Sequence, residues 1–249
     1  MKRKVLCLTL IMFLLALRIN AQERLVENIP YADLKTFHFG VVIGTHVQDT
    51  QFKNIGEQTI ANESGIGIKK NIVCDQDRWD PGFTVGVAGE FKLNNYLGLR
   101  ISPTMYFGSR HLTFRNRTDL DINNNYTETY QDLKSIYASA AIDLIYNSQR
   151  FNNQRPYILV GINPMLNLSA KNDDYIKLKT YDYLFEIGIG CDFYMPLFKL
   201  KPELKFCYSL INSLDTKHAN DLKDKSMLLY TNSVKESRTK MIVLSFYFE

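Results

Sequence analysis

An all-β fold, a closed antiparallel barrel of eight strands that cross a membrane, is what three observations in this 249-residue sequence predict. Eight segments alternate apolar and polar residues with a period of two, each near or above the roughly 9–11 residues that a tilted strand needs to span a bilayer. Short and long connections alternate strictly between them, as periplasmic turns and outer loops do in barrels of the outer-membrane type. The third observation is polarity. Charges and glycines share one face while bulky aliphatic and aromatic residues fill the other, the reverse of a water-soluble sandwich.

The chain opens with Lys2, Arg3 and Lys4, an apolar run from Val5 to Leu17, and Ala21. That is the pattern of a cleaved signal peptide, and the run falls short of the about 20 apolar residues of a transmembrane helix. Residues 1–21 are therefore expected to be removed. Residues 22–36 lack a sustained period and contain Pro30, so they read as a short periplasmic lead-in to a barrel domain at 37–249. The leader carries Lys2, Arg3, Lys4 and Arg18 and no acid, so its loss takes the formal charge from +4 to neutral. Nucleic-acid binding loses its compositional support with it.

Phe37–Val47 is the first expected strand. Phe83–Leu93, Tyr96–Gly108, Leu133–Tyr146, Pro156–Ser169, Leu184–Met195, Phe198–Leu210 and Thr239–Phe248 follow. Asn94-Asn95, Asn147–Arg155 and Pro196-Leu197 make the tight connections, while Gln48–Gly82, Ser109–Asp132, Ala170–Tyr183 and Ile211–Arg238 read as long polar loops. An even strand count returns both termini to the periplasmic side. The hairpin Tyr181–Leu210 carries the pattern most clearly: Phe185, Ile187, Ile189, Cys191 and Phe193 alternate with Glu186, Gly188, Gly190 and Asp192.

Carried through every strand, the alternation sends Val85, Val87, Ile101, Ile142, Leu144, Ile158, Val160, Ile187 and Leu244 to the lipid. Phe37, Phe107, Tyr146, Tyr157, Tyr194, Phe198, Tyr247 and Phe248 are expected at the two interfaces. The lumen side collects Glu90, Arg100, Asp143, Glu186, Asp192, Lys201, Glu203 and Lys205. Buried charges must pair, so Arg100, Lys201 and Lys205 are expected to compensate the carboxylates in one internal network. An eight-stranded barrel is just wide enough for side chains to fill, which argues against conduction and moves function to surfaces that partners can reach.

The chemistry-bearing residues are sparse. A lipid hydrolase would need a nucleophile such as Ser109 or Ser213 beside His46, His111 or His218, and nothing in the spacing demands it. Cys74, Cys191 and Cys207 are neither a disulfide framework nor a zinc motif. No catalytic, cofactor or metal residue is assigned. Loop bases, Arg110, Arg115 and Arg117 in one stretch and Lys217, Lys223, Lys225 and Lys235 in another, match the chemistry of lipopolysaccharide phosphates.

The leader ending Asn20-Ala21-Gln22, the opening strand FHFGVVIGTH, the hairpin EIGIGCDFYMPLFKLKPELKF and the closing strand MIVLSFYFE together resemble the PorT-like outer-membrane barrels of Bacteroidota-type bacteria. Asp192-Phe193-Tyr194 before Pro196, and Lys201-Pro202-Glu203-Leu204-Lys205, are the most specific part. The resemblance implies a non-enzymatic accessory component of the Por, or type IX, secretion system, with other envelope proteins of that system and outer-membrane lipid and lipopolysaccharide as partners. It implies no active site. Two alternatives stand beside it: a surface lipid-modifying enzyme, and a ligand or adhesion barrel acting through its long outer loops.

Overall fold

The computed structural model describes residues 26–61, 67–120, 125–169, 174–222 and 227–249. The expected leader at 1–21 lies outside them. The described residues form ten strands: β1 (Phe37–Asn54), β2 (Glu57–Ala61), β3 (Gly67–Asp75), β4 (Asp80–Lys92), β5 (Leu97–Leu120), β6 (Tyr126–Asn147), β7 (Gln154–Asn167), β8 (Tyr181–Tyr194), β9 (Lys199–Ser209) and β10 (Val234–Phe248).

Eight of them form the barrel as an up-and-down meander, β1-β4-β5-β6-β7-β8-β9-β10. The last strand pairs back onto the first from Val41↔Phe248 to Asn54↔Val234. Every strand expected from the alternation is among these eight. Closure leaves no edge within the membrane, where an unpaired backbone group would have no water to turn to. The ladder is interrupted at three internal prolines, which bring no N–H. Pro103 faces the break in the β4–β5 pairing, Pro164 the break in β6–β7 and Pro202 the break in β8–β9.

The lipid face is as the period dictates: Ile43, Val85, Ile142, Ile158 and Ile187 are exposed while Glu186, Arg100 and Asp143 are fully buried. From Leu97 to Phe107 the outward residues of β5 make an apolar band. Its height, at about 3.3 Å per residue and a tilt of about 40°, is close to the roughly 25 Å of a barrel's lipid-facing belt.

Two expectations need correction. The stretches Gln48–Gly82 and Ser109–Asp132, read as loops, are largely strand. β1 runs on to Asn54, and β5 and β6 stay paired from Leu97↔Tyr146 to Asn116↔Thr127. β3 adds to β5 from Ile72↔Asn116 to Asp75↔Thr113, and β2 adds to β3. Beyond the membrane the solvent changes, so the polarity of the two faces inverts. Ile72, Cys74, Leu112, Phe114 and Leu133 now point inward, and His111, Arg115, Glu128 and Tyr130 outward. Polar outward residues make such a strand look like a loop when it is judged by a lipid-facing pattern.

The second correction concerns aromatics. Tyr157, Tyr194 and Tyr247, expected at the interfaces, are buried in the lumen. Each alternates with an outward neighbour, Ile158, Phe193 or Phe246, and each hydroxyl has a carboxylate to bond. Tyr157 donates to Glu203 at 2.8 Å, Tyr247 to Glu203 at 3.2 Å and Tyr194 to Asp33 at 2.5 Å.

The lead-in is folded against the short-turn end of the barrel. Within a 3-10 turn at Ala32–Leu34, Asp33 lies 3.5 Å from Arg150 and 3.4 Å from Arg155, and its carbonyl accepts from Lys92 at 2.6 Å. Asn28 donates to Asn153 and to the Tyr194 carbonyl.

Candidate functional site: a filled lumen beneath a projecting sheet

The lower lumen is built by inward positions on facing strands. Glycines open room for it. At Gly161 a Cβ would press on Asp143 and the Ile142 carbonyl, and at Gly190 it would overlap the Tyr157 ring. Into this space Arg100 projects from β5, 2.5 Å from Glu203 and 3.4 Å from Asp143, with its guanidinium 4.3 Å from the centre of the Tyr247 ring. Lys205 sits 2.9 Å from Glu186 and 3.9 Å from both Asp143 and Glu203. Lys201 meets Glu90 at 2.6 Å and Asp192 at 3.9 Å.

All eight residues singled out in the sequence thus face one interior, but as two ion-pair clusters, Arg100 with Asp143, Glu186, Glu203 and Lys205, and Lys201 with Glu90 and Asp192, instead of the one network expected. Two partners were missed. Glu249 turns into the lumen, 2.7 Å from Lys201 and 2.6 Å from Lys199, and Lys199 also lies 3.7 Å from Asp192. Parity held the signal for both, since Lys199 alternates in step with Lys201 and Glu249 with Tyr247. Buried ions of this kind contribute little net stability as pairs, yet each leaves a costly orphan when its partner is removed.

Above this network the interior becomes apolar. Ile72, Cys74, Leu112, Phe114, Leu133, Ile176, Leu178, Leu214 and Val234 form a core, with Tyr175 and Tyr230 edge-on to Phe114 at 5.6 and 5.4 Å. Its pieces come from the extended strands and from the connections after β7 and β9, including the bridge Leu178↔Leu214. Burial in this core pushes the Cys74 thiol well above its ordinary range. Polar network below and apolar core above fill the barrel along its axis.

Outside, the sheet of β2, β3, β5 and β6 is dressed with charge. Arg115 bonds Asp77 at 2.7 Å and Glu128 at 2.9 Å, and Lys70 bonds Asp119 at 2.9 Å. The ammonium beside it holds the Asp119 carboxyl below the usual carboxylate range. Of the bases expected on loops, Arg115 is therefore committed to carboxylates. Arg110 is buried rather than on a loop, because its parity is inward, and Lys223 and Lys225 lie outside the described residues.

The histidines are scattered. His46 is buried on the inner face of β1, and His218 is fully buried with Nε2 2.7 Å from the Asp174 carbonyl. His111 is at the surface, with Nδ1 2.8 Å from Asp80 and Nε2 3.5 Å from Asp132. Ser213 bonds Asp182 and Ser209 rather than a histidine. Ser109 lies two residues before His111 on the same outward face of β5, with no hydrogen bond between their side chains among the described residues. Cys74, Cys191 and Cys207 are free thiols.

No curated protein sequence matches the chain. Among solved structures it is similar to Neisserial surface protein A, at 11% identity and a TM-score of 0.38, over 86% of this chain and 98% of that one. It is also similar to Ail, the attachment invasion locus protein of Yersinia pestis, solved with the heparin analogue sucrose octasulfate. There the identity is 11% and the TM-score 0.37, over 86% and 99% of the two chains. Both superpose loosely. A family model described as an outer membrane protein beta-barrel domain matches residues 20–215. With that match covering most of a closed eight-stranded barrel, the chain belongs to the outer membrane protein beta-barrel domain family.

Proposed function

We propose that this outer-membrane barrel is a non-enzymatic accessory component of the type IX secretion system, working through protein contacts at its two ends. One observation carries the reading: the interior is filled along its length, while strands of 24 and 22 residues carry a charged sheet far beyond the apolar band. A filled barrel offers partners its surfaces and not a passage. The PorT-like hairpin and closing strand supply the system, and the long sheet supplies the outer platform. In this reading both termini are periplasmic, which puts the short turns and the lead-in latched through Asp33 on the side of the periplasmic machinery.

Deleting the gene and measuring export of type IX cargo tests the role, and co-purification from outer membranes names the contacts. Unchanged cargo export in the deletion strain would remove the proposal. A second reading, a surface lipid-modifying enzyme, is favoured by His111, whose ring is held by buried Asp80 at the outer margin of the apolar band. Lipid A mass spectra that stay unchanged when His111 becomes alanine would remove that one.

A further inference from the structure

The projecting sheet has two open edges among the described residues, and they are not alike. β2 is five residues long, and its Gln58 side-chain amide is tied to the Leu229 carbonyl. An edge that short is guarded by its length. β6 is the longer one. It stays paired with β5 as far as Asn116↔Thr127, whereas its pairing with β7 ends at Tyr137↔Asn167. Just above that end, the Leu168 amide donates to the Ile136 carbonyl at 2.8 Å, the Ile136 amide donates to Ser169 Oγ at 3.1 Å, and Ser169 Oγ donates to the Lys134 carbonyl at 2.6 Å. From Glu128 to Asp132 no described strand lies on that side.

Ladder parity identifies the groups left there. Both backbone groups of an antiparallel residue face the same neighbour, and successive residues alternate. Ile136 turns both of its groups toward β7, so Glu128, Tyr130 and Asp132 turn theirs toward the open edge, while Thr129 and Gln131 serve β5. The side chains of the same three residues point outward, and Tyr130 is 67% exposed. No proline or register shift interrupts Thr127–Asp132. Threonine and tyrosine favour a strand, so the backbone stands ready to be paired. What restricts the partner is charge. Arg115 is shared between Glu128 and Asp77, and Asp132 has the His111 ring 3.5 Å away. A second copy paired about Tyr130 would set Glu128 directly against Asp132, and like charges so placed destabilise a sheet.

We propose that this edge of β6 is a docking site for an extended segment of a partner protein, which adds as an antiparallel strand with Lys or Arg opposite Glu128 and Asp132. The residue between those two bases stands opposite Tyr130, where a β-branched or aromatic side chain packs best. The backbone supplies affinity and the two carboxylates supply selection. The proposal deepens the reading of the projecting sheet as a platform for protein contacts and rests on it, but not on which secretion system the barrel serves.

The probe is the peptide Thr-Lys-Thr-Val-Thr-Lys-Thr, blocked at both ends and titrated onto the full-length barrel in lipid nanodiscs. It should bind, and the same peptide N-methylated at Lys and Val, where the amides face β6, should bind about tenfold more weakly or worse. Methylation at the inner threonines, whose amides face away, should change little. On the protein, Tyr130→Pro removes an edge N–H that the β5 ladder does not use, and should weaken binding about tenfold. Should that variant fail to fold, Glu128→Lys with Asp132→Lys should lose the Lys peptide and take up its Glu counterpart. No binding of the Lys peptide, equal binding of the methylated forms, or variants that bind like the wild type would each overturn the proposal. Copies of the barrel that cross-link through Tyr130→Cys, in place of peptide binding, would assign the edge to a second copy and overturn the choice of partner. Type IX cargo export in the deletion strain tests the secretion role alone, so the failure of either proposal is distinct from the failure of the other.

Discussion

Replacing Arg100 by methionine removes the charge and keeps most of the side-chain volume, so it isolates what the guanidinium does for Glu203 and Asp143. All three side chains are fully buried, and the guanidinium lies 2.5 Å from one carboxylate and 3.4 Å from the other. Without it, Glu203 keeps the hydroxyls of Tyr157 and Tyr247, and both carboxylates keep Lys205 at 3.9 Å. Those remaining partners place the cost at the lower end of the roughly 3–5 kcal/mol expected for breaking a buried ion pair. A loss of about 3 kcal/mol lowers the folding equilibrium constant more than a hundredfold at about 1.4 kcal/mol per factor of ten. Urea titration in lipid vesicles, followed by the emission of Trp79, the single tryptophan, reads it directly. Lys53→Met is the control, because its pair with Glu236 is 3.7 Å long with both partners exposed and is worth no more than about 1 kcal/mol. If Arg100→Met costs no more than Lys53→Met, the lumen charges do not act as a connected network and the reasoning fails.

Packing supplies a second prediction. Gly190→Val would drive a side chain into the Tyr157 ring, and over-packing of this kind costs about 1–3 kcal/mol; a midpoint equal to the wild type's in the same titration would mean the ring is free to move. Chemistry supplies a third: an impermeant maleimide on intact cells should label Thr118→Cys, on the exposed part of β5, and leave Cys74 unmodified until the protein is unfolded in urea. Labelling of Cys74 in the folded state would show that the outer core is open, and absence of label on Thr118→Cys would reverse the orientation.

How far the sequence could be read follows from one physical rule and its limit. Period-two alternation locates Glu186, Lys205 and Ile187 because it reports only which way a side chain points, and membrane strands keep that parity from end to end. The same parity also holds Lys199, Glu249 and the inward tyrosines; the tyrosines go to an aromatic girdle only when they are judged by residue type instead of by parity. What it could not carry is the medium. Leu112 and Phe114 point the same way as Arg100, yet they lie where the barrel is surrounded by water, so the inner face turns apolar and the outer face charged. A pattern judged against lipid stops at that boundary and reports a loop. The meeting of Ile176, Leu178 and Leu214 with β5 is beyond any local pattern, since it joins connections that are distant in sequence.

The central claim is that the barrel is filled and that its function belongs to its surfaces. Single-channel recording of the purified full-length protein in planar bilayers tests this most directly. The account predicts no step currents, and unchanged silence across both polarities of applied voltage. Reproducible steps of the size of a water-filled pore, lost on denaturation, would contradict it and return function to the lumen.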